Sequence, residues 1–254
     1  MRWDRFRSLL RTRRLGRDLR PLETVDSTSE ELKRLLAQKP AVLVVVADRQ
    51  TAGRGRGANA WFSPPGENLT FSLSIEAAGM EEKEIPLVSA AAAVALHRAL
   101  SSLVSGVLTI KWPNDIYLNG RKLAGILSEI VRDAAGAPWV VMGIGLNVGT
   151  QTFPPELAGK ATSLRIEEGR TFDREELLAT ILDEIEAAAA RIMSGEKAGL
   201  LDEYRGRCSL WGRRVSVDGI PGTMEGISPR GGLLLRLEGG ELREILAGSV
   251  ELEP

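Results

Sequence analysis

The sequence has one cysteine and one histidine in 254 residues. A structural zinc site uses about four Cys or His ligands, so Cys208 and His97 cannot provide one. A single cysteine also excludes an intrachain disulfide, which fits a reducing compartment. His97 lies in an alanine-rich stretch, so we interpret it as a helix residue and not as the base of a Ser-His-Asp triad.

Long apolar runs are also absent. No stretch approaches the roughly 18 apolar residues of a membrane-spanning helix, and the N-terminus lacks the apolar core of a secretory signal. The 33 basic and 34 acidic residues give a net charge of −1, which excludes a polycation held to nucleic acid by bulk charge. We therefore expect a cytoplasmic protein that does not bind membranes.

The near-neutral total conceals a basic N-terminus. Residues 1–20 contain eight arginines and two aspartates, a net charge of +6, so the other 234 residues carry −7. Apolar residues between Trp3 and Leu15 alternate with the arginines at helical spacing. They predict a basic N-terminal helix within residues 1–20 that lies on the rest of the protein with its arginines in solvent.

Hydrophobic patterning predicts an α/β body in residues 21–208. Short apolar runs indicate buried strands, longer periodic runs indicate helices, and Asn119-Gly120 marks a hairpin turn. The predicted strands are 41–47, 68–75, 107–112 and 139–147, and the predicted helices include 87–100, 173–193 and 200–207. From residue 209 to residue 254, five short apolar runs separated by glycine turns predict a small β-barrel.

Three motifs are candidates for chemistry. Ser27, Thr28 and Ser29 precede apolar residues at helical spacing, and Ser27 with Glu30, or Thr28 with Glu31, matches a capping box. On one interpretation these hydroxyls only start a helix. On the other, the free N–H groups of a helix N-terminus and the hydroxyls form a polar ligand site.

The second motif is Gly53-Arg-Gly-Arg-Gly57. It is not a dinucleotide fingerprint, because the residues after it break a helix, and it lacks the Gly-Lys-Ser/Thr of a P-loop. It is either a surface loop, which could touch RNA, or a site where Arg54 and Arg56 bind a phosphate.

The third motif combines Lys111-Trp-Pro-Asn-Asp115 with Lys122, which the predicted hairpin brings near the same face. Gly143 and Gly145 interrupt the following strand, and glycines in a strand mark the close approach of a ligand or another backbone. Surface lysines are usually only solvated. The lysines of this motif are better candidates for a site because they occur together with the arginine loop.

Together these motifs resemble the biotin–protein ligase family, in their order and spacing, over residues 20–254. The resemblance implies an α/β (α+β) fold of the class II aminoacyl-tRNA synthetase and biotin ligase type. It implies a mixed β-sheet catalytic domain in 21–208, with helices on one side, and an SH3-like barrel in 209–254.

The resemblance also implies an activity. Such an enzyme uses ATP and Mg²⁺ to convert biotin to biotinyl-5'-AMP, then transfers biotin to a lysine of the biotin carboxyl carrier protein of acetyl-CoA carboxylase. It requires no zinc, haem or NAD, and a homodimer is compatible with it. Because the motifs that resemble the family begin at Asp26-Ser27-Thr28, we expect the short form without a winged-helix domain, and hence no sequence-specific DNA binding.

The resemblance assigns roles to individual residues. The biotin site would consist of Ser27, Thr28, Ser29, Gln50, Gly53, Arg54, Gly55, Arg56, Lys122 and Gly125. The ATP site would consist of Arg54, Trp61, Lys111, Asn114 and Asn147. The catalytic residues would be Arg54, Lys111, Lys122 and Asp115, and Asp115 would also contact a Mg²⁺ held mainly by the ATP phosphates.

The sequence departs from the family pattern at two places. Ser29 stands where relatives commonly have asparagine, which weakens the assignment of that position to biotin. Gly57-Ala58-Asn59-Ala60 lacks the arginine that relatives carry there, so we expect weaker retention of the adenylate.

Three alternatives stay open at this point. The chain could be a lipoate or octanoate ligase or transferase on the related fold, although Cys208 is better explained as a small buried residue than as a transfer thiol. It could be a DNA-binding repressor, or its C-terminal barrel could be an independent interaction module.

Overall fold

The computed structural model describes residues 1–57, 59–77 and 80–253. Six α-helices, a short 3-10 helix (Glu82–Glu84) and twelve strands are present in this part of the chain. The helices are α1 (Trp3–Leu9), α2 (Thr28–Gln38), α3 (Ile85–Ser101), α4 (Leu164–Glu168), α5 (Arg174–Met193) and α6 (Lys197–Arg207). The strands are β1 (Leu19–Val25), β2 (Val44–Gln50), β3 (Leu69–Glu76), β4 (Leu108–Lys111), β5 (Asp115–Leu118), β6 (Arg121–Arg132), β7 (Pro138–Leu146), β8 (Arg214–Val217), β9 (Ile220–Ile227), β10 (Leu233–Arg236), β11 (Leu242–Ile245) and β12 (Val250–Leu252).

The body is a seven-stranded mixed sheet in the order β1-β2-β3-β7-β6-β5-β4. Strands β1 and β2 are parallel, and every other neighbouring pair is antiparallel. The predicted Asn119-Gly120 turn joins β5 to β6, and both residues have positive φ, at 50° and 76°. These values fit the two-residue turn whose twist matches that of a hairpin. The mixed sheet flanked by helices is therefore confirmed.

Helices cover both faces of this sheet, so the prediction of helices on one side is wrong. Helices α3, α5 and α6 pack together on one face, with Val44 and Val46 in their shared core. On the other face, α2 buries Leu32 and Leu36 against Val45. Successive strand residues point to opposite faces of the sheet. Because β2 carries apolar side chains on both faces, helices must pack on each face to bury them.

The N-terminal segment packs on α5 through apolar side chains and through several carboxylates, among them Glu175, Asp183 and Glu186. Phe6 is fully buried, and the arginines Arg2 and Arg7 remain largely exposed, as the sequence predicts. The helix ends at Leu9, however, and does not continue to residue 15. Instead, Glu186 of α5 accepts backbone N–H groups from residues 13, 14 and 15 at 2.5, 2.8 and 2.9 Å, which replaces helical hydrogen bonds.

The C-terminal unit is a five-stranded antiparallel sheet in the order β11-β10-β9-β8-β12. All five predicted strands are present. Within residues 209–253, no ladder joins β12 to β11, so the sheet is open and the closed barrel of the prediction is not formed. The unit contacts the body where Trp112 Nε1 donates to the Gly231 carbonyl at 3.3 Å and Arg205 donates to the Ile227 carbonyl at 2.9 Å.

The described part of the chain contains no helix with the length and apolar character needed to cross a membrane.

Candidate active site

One cavity of about 780 Å³ opens between α2, the loop after β2, the β5–β6 hairpin and the start of β12. Every site residue predicted from the sequence lines it, although these residues come from separate parts of the chain. They are Ser27, Thr28, Ser29, Gln50, Gly53, Arg54, Gly55, Arg56, Trp61, Lys111, Asn114, Asp115, Lys122, Gly125 and Asn147. The sheet therefore brings the three motifs to a single site.

The hydroxyl motif does not form a capping box. Helix α2 begins at Thr28, but the side chain of its N-cap, Ser27, accepts no capping hydrogen bond. The backbone N–H and the hydroxyl of Thr28 instead donate to Gln50 Oε1, at 2.8 and 3.1 Å. Because the helix does not use the Ser27 hydroxyl as a cap, the ligand-site interpretation of this motif gains support.

A buried serine that sequence reasoning missed supports this cluster. Ser72 in β3 is fully buried, and its hydroxyl lies 2.8 Å from Thr28 Oγ1 and 2.9 Å from Ser29 Oγ. Hydroxyl residues alternate with apolar ones along β3, which was the available signal for a polar face. A Cβ at Gly143 would lie 2.6 Å from Ser29 Oγ, so glycine makes room for the Ser29 hydroxyl there.

The arginine loop folds back on itself as a short hairpin. The Gly55 N–H donates to the Asn59 carbonyl at 2.8 Å, and the Trp61 N–H donates to the Gly53 carbonyl at 2.9 Å. A Cβ at Gly53 would lie 2.8 Å from the Trp61 carbonyl oxygen, so this close approach requires glycine. Of the segment that departs from the family pattern, Ala58 lies outside the described residues.

Both loop arginines have partners outside the loop. The Arg54 guanidinium forms an ion pair with Glu30 in the first turn of α2. Arg56 Nη1 donates to the Gly248 carbonyl at 2.9 Å, next to β12. The loop is thus connected to the hydroxyl motif on one side and to the C-terminal unit on the other.

The two lysines reach the cavity from β4 and β6, the strands on either side of β5. Lys122 Nζ lies 2.7 Å from Asp115 Oδ2 and 5.8 Å from the centre of the Trp61 ring. Lys111 Nζ lies 5.4 Å from the ring centre of Tyr117. Burial, with a smaller contribution from the negative charge of Asp115, raises the pKa of Tyr117 to about 12, so Tyr117 stays neutral at physiological pH.

A β-bulge sets the orientation of Lys122. Asp115 pairs with Gly125 and Ile116 with Ala124, and regular pairing would place Tyr117 opposite Leu123. The register shifts between Ile116 and Tyr117, so that Tyr117 pairs with Lys122 instead. Paired residues share a face of the sheet, so the bulge turns Lys122 toward the cavity while Leu123 is fully buried in the core.

The two predicted asparagines are partly committed to the fold. Asn114 is buried and donates to the Ile126 carbonyl. Asn147 donates to the Thr162 carbonyl at 3.0 Å and accepts from Asn68 at 3.4 Å. Each carboxamide therefore has a fixed orientation at the cavity wall, and only its remaining hydrogen-bonding capacity can serve a ligand.

Trp61 lies against Gly145, which the sequence marked as a site of close approach, and against Gly125 of the predicted biotin site. A Cβ at Gly145 would fall 2.2 Å from Trp61 Cε2, and one at Gly125 would fall 3.3 Å from Trp61 Cζ3. The indole Nε1 is buried and has no hydrogen-bond partner among the described residues. An unpaired buried donor is costly, so this N–H is available to a ligand in the cavity.

The cavity does not supply a metal site made by the protein alone. In the part of the chain that the structure describes, no three Asp, Glu, His or Cys side chains cluster to hold an ion. Asp115 is paired with Lys122, and the amide of Asn114 is engaged with a backbone carbonyl. Mg²⁺ is commonly bound through one or two carboxylates together with substrate phosphates. These residues fit a Mg²⁺ ion of that kind, which the substrate phosphates help to hold.

Residues from two later segments also line the cavity, and no pattern in the sequence pointed to them. They are Phe153, Glu156, Leu157 and Ala161 before α4, and Ser249 and Val250 at the start of β12. The Phe153 ring lies 6.1 Å from that of Phe62, which continues the arginine loop. Such neighbours are distant in the chain, so only the folded structure reveals them.

The comparison with known proteins agrees with this geometry. The biotin/lipoate A/B protein ligase family matches residues 22–147, and the biotin protein ligase C-terminal domain matches residues 212–252. A biotin–[acetyl-CoA-carboxylase] ligase from Mycobacterium tuberculosis is 32% identical over 250 residues, which cover 92% of this chain and 90% of that protein.

The chain belongs to the biotin protein ligase family.

Two further similarities within this family concern the fold and the length. The biotin protein ligase from Aquifex aeolicus, solved in complex with biotin and ATP, is 30% identical with a TM-score of 0.81, and the match covers 93% of this chain and 99% of that one. A bifunctional ligase/repressor BirA from Bacillus spizizenii is 36% identical over 176 residues, which cover 68% of this chain and 54% of that protein. The match thus spans about half the length of this Bacillus relative.

Proposed function

We propose that this chain activates biotin with ATP to form biotinyl-5'-AMP and transfers biotin to a lysine of a biotin carboxyl carrier protein. The observation that carries the proposal is the cavity itself. It holds the hydroxyl and carboxamide cluster of Ser27, Thr28 and Gln50 together with the cations of Arg54 and Lys122. A ring with polar edges and a phosphate can therefore bind side by side.

The first step needs charge neutralisation and alignment more than a base. A biotin carboxylate oxygen attacks the α-phosphorus of ATP, an O–P bond forms, and the bond to the β-phosphate oxygen breaks to release pyrophosphate. Two anionic groups must approach each other, and fixed cations lower the cost of that approach. Arg54, Arg56, Lys111 and Lys122 line the cavity, and we assign them to this task.

The second step needs a proton acceptor. The amine of the carrier lysine attacks the acyl carbon of the adenylate, a C–N bond forms, the C–O bond to phosphate breaks, and AMP leaves. We assign Asp115 to accept the amine proton, since it is a carboxylate of the cavity wall held 2.7 Å from Lys122. Mg²⁺ would enter with the ATP phosphates, and Asp115 would have to leave Lys122 to contact it.

Biotin is favoured over lipoate or octanoate by the polar cluster. The ureido group of biotin has two N–H donors and a carbonyl acceptor, which match hydroxyls and a carboxamide. A dithiolane ring or an alkyl chain would leave these polar groups without partners, which is unfavourable. Cys208 also lies outside the cavity lining, and burial raises the pKa of its thiol to about 11, which argues against a transfer thiol.

The test is incorporation of labelled biotin into an isolated biotin carboxyl carrier protein with ATP and Mg²⁺. We expect label on the carrier lysine and release of pyrophosphate, with no incorporation when labelled lipoate or octanoate replaces biotin. A carrier variant with the acceptor lysine changed to arginine is the control. Incorporation of lipoate in place of biotin, or no adenylate formation from biotin and ATP, would contradict the proposal.

A further inference from the structure

Arg54 is held by a carboxylate that lies outside the cavity wall. Its guanidinium pairs with Glu30 in the first turn of α2, and Glu30 is not among the residues that line the cavity. The Arg54 side chain is 47% exposed and that of Glu30 is 34% exposed. Arg54 therefore lines the cavity and at the same time keeps an anionic partner at the rim of the site.

Glu30 is itself fixed in place. Lys33 lies one turn later in α2, and its Nζ lies 3.0 Å from Glu30 Oε1 and 2.8 Å from Glu129 Oε2 in β6. The hydrogen bond from Lys33 and the pairing with Arg54 lower the pKa of Glu30 below its usual value. The carboxylate thus keeps its charge, and Lys33 still holds it when Arg54 moves away.

We propose that Glu30 competes with the phosphate of the adenylate for Arg54 and thereby sets the rate at which biotinyl-adenylate leaves the enzyme. The inference rests on the proposed function, since it requires an adenylate in the cavity. The Glu30 carboxylate occupies Arg54 Nη1, and Arg54 can offer all of its N–H donors to a phosphate only after that contact breaks. Glu30 therefore reduces the net contribution of Arg54 to holding the adenylate.

The size of the effect follows from the exposure of the pair. Ion pairs exposed to this degree are weak because water and salt screen them. Removal of the Glu30 charge should therefore slow adenylate release by about two- to fivefold, and the effect should shrink at high salt.

The experiment uses Glu30→Gln, which keeps the size and polarity of the side chain but removes its charge. Glu31→Gln is the matched control, because Glu31 lies in the same turn and pairs with Arg34 instead, at 2.8 Å. Labelled biotinyl-adenylate, prepared beforehand, is bound to each enzyme without carrier, because Arg54 itself is assigned to adenylate formation. Its dissociation rate is then measured after addition of excess unlabelled adenylate, in wild type, in both variants, and in each combined with Arg54→Ala. Adenylate formation from biotin and ATP is measured separately in the wild type.

We expect Glu30→Gln to slow dissociation two- to fivefold, Glu31→Gln to leave it unchanged, and the Glu30 effect to disappear in the Arg54→Ala background. Dissociation that is unchanged or faster in Glu30→Gln, or an effect that persists without Arg54, would overturn the inference. Failure of the wild type to form any adenylate would instead refute the proposed function, and this inference with it.

Discussion

The sharpest test of the site assignment is the replacement of Lys122 by alanine. The change removes Nζ, which lies 2.7 Å from Asp115 Oδ2. The two side chains are 34% and 21% exposed, so the pair is only partly desolvated. Its loss should lower the free energy of unfolding by about 1 kcal/mol, the upper end for solvent-accessible pairs. For a chain of this length that corresponds to a fall of about 2–4 °C in Tm.

The expected effect on activity is far larger. If Lys122 neutralises charge on the reacting carboxyl and phosphate oxygens, its removal takes away one preorganised donor of the transition state. Removal of such a donor typically lowers kcat by about 10²–10³-fold, or about 3–4 kcal/mol. A loss of that size with a nearly unchanged Tm separates a catalytic role from a structural one.

The assay is pyrophosphate release from biotin and ATP at saturating concentrations, with thermal unfolding measured on the same samples. Lys160→Ala is the matched control, since Lys160 is exposed and absent from the cavity lining, although its carbonyl accepts the Lys122 N–H at 2.8 Å. We expect wild-type rates from this control. A Lys122→Ala enzyme within threefold of wild type would refute the assignment, as would a loss of activity explained by unfolding.

Three further predictions concern the N-terminal segment, the cavity wall and the arginine loop. Glu186→Gln should lower the free energy of unfolding by about 1–2 kcal/mol at pH 7. Burial alone would raise the pKa of Glu186, but the backbone N–H donors outweigh it, and the net pKa lies below the usual value of 4.5. In urea titrations, the stability difference between wild type and Glu186→Gln should therefore shrink as the pH falls below 4.5 and the wild-type carboxylate becomes protonated. Gly145→Ala should displace Trp61 and raise the KM for ATP. Gly206→Ala is the control, because a Cβ at Gly206 meets nothing within 4 Å, and it should leave that KM unchanged. The same KM for ATP in both variants would contradict this prediction. Asn59→Arg should slow adenylate dissociation by restoring charge to the loop, and an unchanged rate would count against that explanation.

Local patterning was sufficient for most of the secondary structure. Helix α3 and the five C-terminal strands follow from apolar periodicity, and the β5–β6 turn follows from Asn119-Gly120. These features depend on residues close together in the chain, so their physical causes are visible in the sequence. The motif residues could also be selected, because their joint resemblance to a family is specific.

The predictions that were wrong depended on groups that compete from a distance. Gln50 binds Thr28, where one of the two interpretations had a capping box. Glu186 takes N–H groups that would have extended helix α1. Packing between distant segments also places α2 on the second face of the sheet and leaves the C-terminal sheet open. In each case local propensity was overruled by a partner from another part of the chain.

The sequence by itself determined which residue types are available: hydroxyls, carboxamides, glycines and four cations, with too few His and Cys residues for a structural zinc site or an intrachain disulfide. Only the tertiary structure decided where they point. Side chains alternate across a strand, and the bulge in the β5–β6 pair reverses that alternation so that Lys122 faces Asp115 in the cavity. The pairing of Arg54 with Glu30 and the contact of Ser72 with Thr28 also join distant segments. Such contacts are set by the register of the whole sheet, which no local pattern specifies.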